Sequence, residues 1–261
     1  MPLARVNGIN INYTIEGDGI PLVLIMGLGG GQTAWRRQIP AFKESYRVVT
    51  FDNRGVGKSD KPEGIYTPGI MAEDTIRLMD FLKIQKAHIL GMSMGGLIAQ
   101  EIAINYPQRV MKLVLGSTFA CYDDAANGPT PHMIAAGELP PKQAYFRLID
   151  ACFNTFIFRY IFIPLLKFRA RRIKESEITG IRAQVEGVKG FDSLDRLPLI
   201  KAPTLVLTGT GDRVIKPGSS ETISQKIPGA RLVKIKNGSH VVCVEKSKEF
   251  NQAVLGFLKG T

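Results

Sequence analysis

Short unbroken apolar runs recur along the 261-residue chain: Pro21–Met26, Arg47–Asp52, Lys86–Leu90, Val110–Leu115, Thr204–Leu207 and Arg231–Ile235. Continuous rather than alternating apolarity marks strands buried on both faces. Between the runs, helical spacing of apolar residues predicts helices over Thr33–Phe42, Ile70–Leu82, Met94–Asn105, Ser219–Lys226 and Ser247–Leu258. Strands that alternate with helices in this way form a mostly parallel sheet covered by helices on both faces. Ahead of the first run, Asn7-Gly8 separates Ala4–Val6 from Ile9–Ile15. Asn-Gly is a tight-turn signal, so the chain is expected to open with a hairpin that supplies an antiparallel edge.

The alternation stops at about Cys121 and resumes at Arg196. The interval is helical in character and rich in phenylalanine, with Pro129, Pro131, Pro140 and Pro141 near its start. A segment this long is no plain loop in a compact domain. The expected organisation is an α/β core of residues 1–120 and 196–261, with residues 121–195 inserted as a helical cap, or lid. Ala202-Pro203 returns the chain to the sheet.

Charge and composition narrow the functional classes. The net charge is +11, and residues 196–261 alone carry 11 basic against 4 acidic side chains. Lys226, Arg231, Lys234, Lys236, Lys246 and Lys248 have no aromatics interleaved among them, so they read as a solvated face and not as a nucleic-acid surface. No apolar run reaches the roughly 18–20 residues of a membrane span. Phe153–Phe168 comes nearest, and Asn154, Arg159, Pro164 and Lys167 interrupt it. The first eight residues contain no apolar signal core, and Cys121, Cys152 and Cys243 are odd in number without metal-like spacing. Free thiols and no leader point to the cytoplasm. No feature of the chain sets an oligomeric state.

The chemistry centres on Gly91-Met92-Ser93-Met94-Gly95-Gly96, which joins the run ending at Leu90 to the helix starting at Met94. G-x-S-x-G between a strand and a helix is a nucleophile elbow: the serine is lifted from the sheet edge, and glycines let strand and helix approach. Serine needs a base to take its proton. His88 lies inside a strand and His132 among the prolines of the cap, whereas His240 stands in a turn directly after the last strand and is the candidate base. Its orienting acid is expected to be Asp212, at the glycine-rich end of Thr204–Leu207, with Asp123 and Asp124 as alternatives. Asp52 also ends a strand, but it leads into the turn Asn53–Gly57 and is expected to organise that turn. The oxyanion of an acyl-transfer intermediate needs N–H donors. The backbone N–H groups of Met94, after the serine, and of Leu28, in the loop Gly27–Gly31, are the candidates. No metal and no cofactor are called for.

The order Ser93, Asp212, His240, together with the Gly27–Gly31 loop and Phe51–Ser59, resembles the α/β-hydrolase superfamily along nearly the whole chain. Within it, the chain looks most like small bacterial carboxylesterases and 3-oxoadipate enol-lactonase-type hydrolases. The resemblance implies a serine hydrolase that cleaves a small-molecule carboxylic ester or lactone through an acyl-enzyme. Ser93 stands where haloalkane dehalogenases and epoxide hydrolases carry aspartate. Many relatives place histidine where this chain has Met26, a change that leaves a backbone donor intact. Two other functions on the same fold are carbon–carbon bond hydrolysis of a diketone-like substrate and ligand reception. Substrate choice is expected to lie in the cap, where Phe146, Phe153, Phe156, Phe158, Tyr160, Phe162 and Phe168 read first as the cap's own core and its contact with the sheet, and second as the lining of an apolar acyl pocket. The basic run Lys167–Lys174 reads first as a solvated helix face and second as a clamp for an acidic lactone, and Trp35 and His132 are candidate pocket residues.

Overall fold

In the computed structural model, which describes residues 2–124, 143, 147, 150–153, 164 and 175–260, the apolar runs are strands of one sheet. They are β1 (Leu3–Val6), β2 (Ile9–Glu16), β3 (Ile20–Ile25), β4 (Tyr46–Phe51), β5 (Ala87–Met92), β6 (Val110–Gly116), β7 (Thr204–Gly209) and β8 (Arg231–Ile235). Their spatial order is β1-β2-β4-β3-β5-β6-β7-β8. β1 pairs antiparallel with β2, and β2 with β4; all the later pairings are parallel. Asn7 and Gly8 both take positive φ, 46° and 77°, as the two-residue turn of a twisted hairpin requires.

The described helices are α1 (Ile39–Phe42), α2 (Pro68–Phe81), α3 (Met94–Asn105), α4 (Glu175–Val188), α5 (Pro217–Lys226), α6 (Val242–Glu245) and α7 (Ser247–Lys259). The single helix expected over Thr33–Phe42 is instead a 3-10 turn at Gln32–Trp35 followed by the one-turn α1. Pro40 explains the break: it has no N–H to bond the Arg36 carbonyl in a continuous helix, and is tolerated in the first turn of α1, where it sits. α2 shows the opposite use of the same residue. Pro68 opens the helix, and Thr67 caps it by accepting the Ile70 N–H at 3.2 Å.

Alternation along each central strand divides the core in two. Val23, Ile25, Ile89, Leu113, Leu115 and Val206 pack with α2, α3 and α5 on one face. Leu22, Leu24, Leu90, Val114, Leu205 and Leu207 pack on the other with Trp35, α1 and the Phe250, Val254, Phe257 and Leu258 stripe of α7. Successive residues of a strand point to opposite faces, so a fully buried strand must be apolar at every position. Among the described residues no helix is long and apolar enough to cross a membrane.

α4 lies flush against the segment after β4. A Cβ on Gly180 would come within 2.1 Å of the Gly55 carbonyl oxygen, and one on Gly187 within 2.0 Å of that of Tyr66. The Tyr66 N–H donates to the Ala183 carbonyl at 3.0 Å, which fastens the two backbones. His132, the basic run Lys167–Lys174 and the cap aromatics other than Phe153 lie outside the described residues.

His88 is held in β5, 4% exposed and edge-on to Tyr46 at 5.7 Å. Burial, helped by the charge of Lys112, lowers its pKa from 6.5 to about 4. The unfolded chain therefore protonates this imidazole where the native state does not. Its contribution is complete above pH 6.5 and is lost as the pH falls toward 4, a difference of about 3 kcal/mol. Urea unfolding at a series of pH values is expected to show this loss, and His88→Gln to have a flatter profile over the same window. Parallel profiles for the two proteins would contradict it.

Candidate active site

The turn between β5 and α3 is built by three close approaches, two of them between backbones. A Cβ on Gly91 would lie 2.1 Å from the Gly95 carbonyl oxygen, and one on Gly95 2.1 Å from that of Ile25. A Cβ on Gly96 would lie 2.5 Å from the Thr118 side chain. In this vise Ser93 takes φ 54° and ψ −123°, a strained conformation for a residue with a side chain. Its N–H donates to Gly116 O at 2.9 Å. Its carbonyl accepts the Gly96 N–H and the Thr118 hydroxyl, each at 2.8 Å. From Ala87 to Ala103 every residue but Ser93 is buried.

The loops after β7 and β8 are tied together beside that serine. The Gly211 N–H donates to Gly238 O at 2.9 Å, and a Cβ on Gly209 would stand 2.2 Å from the same oxygen. Asn237, at φ 56°, turns the chain sharply out of β8. The result is a continuous chain of contacts: Asp212 Oδ2 to His240 Nδ1 at 2.9 Å, and His240 Nε2 to Ser93 Oγ at 3.0 Å. The other Asp212 oxygen accepts the N–H groups of Val214 and Ile215 at 2.8 and 2.9 Å. An ionised carboxylate only accepts, so the Nδ1 proton faces Asp212 and leaves Nε2 as an acceptor for the serine hydroxyl. The partner of His240 is thus Asp212 and not Asp123 or Asp124, which lie in the turn after β6. Burial raises the Cys121 and Cys152 pKa values and pushes Cys243 to about 12, which disfavours their thiolate forms.

The loop after β3 passes directly over the serine. A Cβ on Gly27 would come within 2.9 Å of Ser93 Cβ, so only glycine fits there. Among the described residues the Leu28 and Met94 N–H groups have no hydrogen-bond partner. The neighbouring amides of the loop are occupied: Gly30 N–H by Gly27 O at 3.0 Å, Gly29 N–H by Gln184 Oε1 at 3.0 Å, and Gln32 N–H by Asp52 Oδ1 at 2.8 Å. Asp52 also accepts from Asn12 Nδ2 and the Lys58 N–H, so it organises its turn and the loop at once.

One expectation needs correction and two anchors are new. Trp35 does not border a pocket: it has no exposed surface and belongs to the core on the α7 side of the sheet. Its nearness to the loop in sequence says nothing about which face its ring takes. His132 lies outside the described residues. Asn53 Nδ2 donates to the Met26 carbonyl at 2.9 Å, and Gln184 reaches the loop from α4. Asn53 carries no sequence signal beyond its place after Asp52. Gln184 does carry one: it is a polar residue on the buried stripe of α4, with Gly180, Gly187 and Val188.

A sequence model of the α/β hydrolase fold family matches residues 20–160 and 164–247. The chain is 27% identical to a putative carbamate hydrolase of Azorhizobium caulinodans, covering 98% of each protein. Its structure is similar to that of the enol-lactonase from Burkholderia xenovorans, with a TM-score of 0.86 at 28% identity over 99% of this chain and 100% of that one. It is also similar to the meta-cleavage product hydrolase from Pseudomonas fluorescens, with a TM-score of 0.88 at 26% identity over 99% and 97%.

The packing at Gly95 sets a sharp contrast between two glycines. Gly95→Ala is expected to cost more than about 4 kcal/mol, read as a fall in Tm of about 10 °C or more. Gly69, in the first turn of α2, is exposed and would bring its Cβ no nearer than 3.9 Å to Thr67 Oγ1. Gly69→Ala should leave Tm unchanged or raise it by a few degrees. Equal effects of the two substitutions in thermal melts would overturn this account of the turn.

Proposed function

Because the chain belongs to the α/β hydrolase fold family, we propose that this hydrolase is a serine enzyme that cleaves a carboxylic ester or lactone through an acyl-enzyme. The observation that carries the reading is the unbroken line of contacts from Asp212 through His240 to Ser93. In the first half-reaction Ser93 Oγ attacks the substrate carbonyl carbon while its proton passes to His240 Nε2. The Leu28 and Met94 N–H groups receive the oxyanion, for which their lack of other partners leaves them available. Asp212 accepts from Nδ1 and stabilises the imidazolium. Val214 and Ile215 keep its second oxygen from swinging away.

Collapse of the intermediate breaks the carbon–oxygen bond of the ester. His240 returns its proton to the departing alkoxide, which in a lactone remains tethered as the new hydroxyl. Water then attacks the acyl-Ser93 ester. His240 takes the water proton and gives it to Ser93 Oγ as the acid is released. Every group in this scheme belongs to the chain, and no cofactor enters. In the same reading residues 121–195 are an inserted helical cap that selects the substrate. The similarity to an enol-lactonase supports a lactone or ester.

The similarity to a meta-cleavage product hydrolase favours a second reading, hydrolysis of a carbon–carbon bond beside a ketone. It is the better one if kcat/KM on a vinylogous diketone exceeds that on every ester of a graded series. For the first reading, Ser93→Ala and His240→Ala are each expected to lower kcat on p-nitrophenyl esters by at least about 10³-fold. Asp212→Asn should fall steeply as well, while Asp123→Asn and Asp124→Asn stay close to wild type. Full activity of Asp212→Asn with loss in either of the other two would reassign the acid. Activity retained by Ser93→Ala would remove the mechanism.

A further inference from the structure

The loop that carries Leu28 is held from three sides, and one of the holds comes from outside the core. Asp52 takes the Gln32 N–H and Asn53 takes the Met26 carbonyl; both belong to the turn after β4. The third hold is Gln184 of α4, 155 residues distant in sequence. This side chain has no exposed surface. Its Oε1 accepts the Gly29 N–H at 3.0 Å, and its Nε2 donates to the Arg54 carbonyl at 2.9 Å. One side-chain amide thus accepts from the peptide that follows Leu28 and donates to the opposite loop.

Both ends of that bridge are fixed. Arg54 is buried and forms a two-point ion pair with Asp74, and its guanidinium lies 5.6 Å from the Tyr66 ring centre. α4 cannot slide, because Gly180 and Gly187 sit against the backbone of Gly55 and Tyr66 with no space for a Cβ. Gly29 takes φ 64°, and the Gly30 N–H closes the turn onto Gly27 O at 3.0 Å. The direction of the Leu28 N–H is therefore set by a peptide turn whose far side is pinned by Gln184.

We infer that Gln184 is the positioning residue that aims the Leu28 N–H at the developing oxyanion, so that docking of α4 and assembly of the oxyanion site are one event. The inference rests on the serine-hydrolase reading. It makes a chemical demand that packing alone does not: the position needs an acceptor and a donor together. A protonated carboxylic acid meets that demand, and an ionised carboxylate does not. The carboxylate would turn an acceptor toward the Arg54 carbonyl and bring negative charge beside the oxyanion site.

The test compares the full-length wild type with Gln184→Glu and Gln184→Ala, using p-nitrophenyl butyrate as substrate. Butylboronic acid serves as the tetrahedral analogue and butyrate as the ground-state analogue. Gln184→Glu near neutral pH is expected to lose kcat by about tenfold or more, with a smaller change in KM. The ratio of wild-type to variant kcat should narrow as the pH is lowered and the introduced side chain is protonated. Butylboronic acid should bind more weakly to both variants, while butyrate binding holds. A purely structural role would lower Tm and weaken both analogues alike, with no pH-dependent recovery of Gln184→Glu; that result, or a kcat of both variants equal to that of a wild type that turns over the ester, removes the Gln184 assignment alone. Failure of the wild type to turn over p-nitrophenyl butyrate or to react at Ser93 with a fluorophosphonate removes the serine-hydrolase reading and this inference with it.

Discussion

Everything at the site depends on backbone forced against backbone beneath Ser93. A serine at φ 54° costs of order 1–3 kcal/mol and persists only where its surroundings leave no alternative. Gly91, Gly95 and Gly27 allow β5, α3 and the loop after β3 to close to distances that no Cβ survives. Hydrogen bonds from the Ser93 N–H to Gly116 and from Gly96 and Thr118 to the Ser93 carbonyl then hold the strained peptide in place. Ser93 is the one residue of that turn that is not buried. Strain, packing and exposure at Ser93 are therefore a single arrangement.

The parallel sheet converts this local device into a site. Parallel strands all end at the same edge, so the loops after β3, β5, β7 and β8 converge there although their residues are far apart in sequence. Ser93 and His240 are 147 positions apart and 3.0 Å distant. The two loops that carry Asp212 and His240 are bonded to each other before they meet the serine, through Gly211 and Gly238. Asp52 ties the loop after β3 to the turn after β4 in the same way. Rigid cross-links of this kind let a site on loops keep hydrogen-bond geometry that loops alone would not keep.

The sheet and the elbow were legible because their signals are local. Continuous apolar runs state burial on both faces, and G-x-S-x-G states a close approach that the clashes at Gly91 and Gly95 make concrete. The meeting of Asp212 with His240 was also readable, since each follows a strand that ends at the shared edge. What the sequence hid depends on direction or distance. Trp35 lies next to the loop in the chain, yet its ring turns to the far face of the sheet. The helix expected through Pro40 breaks ahead of the proline, between Trp35 and Ile39. Gln184 marks itself only as a polar residue on the buried stripe of α4; its partners are backbone groups of residues 29 and 54, which leave no mark in side-chain pattern.

The central claim is that Ser93 carries the acyl group. Its most direct test is acid quenching of the protein during turnover of p-nitrophenyl acetate, followed by peptide mass spectrometry. The account predicts an acetyl group on the peptide containing Ser93, formed in a burst and absent from Ser93→Ala. Steady turnover with no acetylated peptide, or acetyl found on another residue such as Cys121, would contradict it.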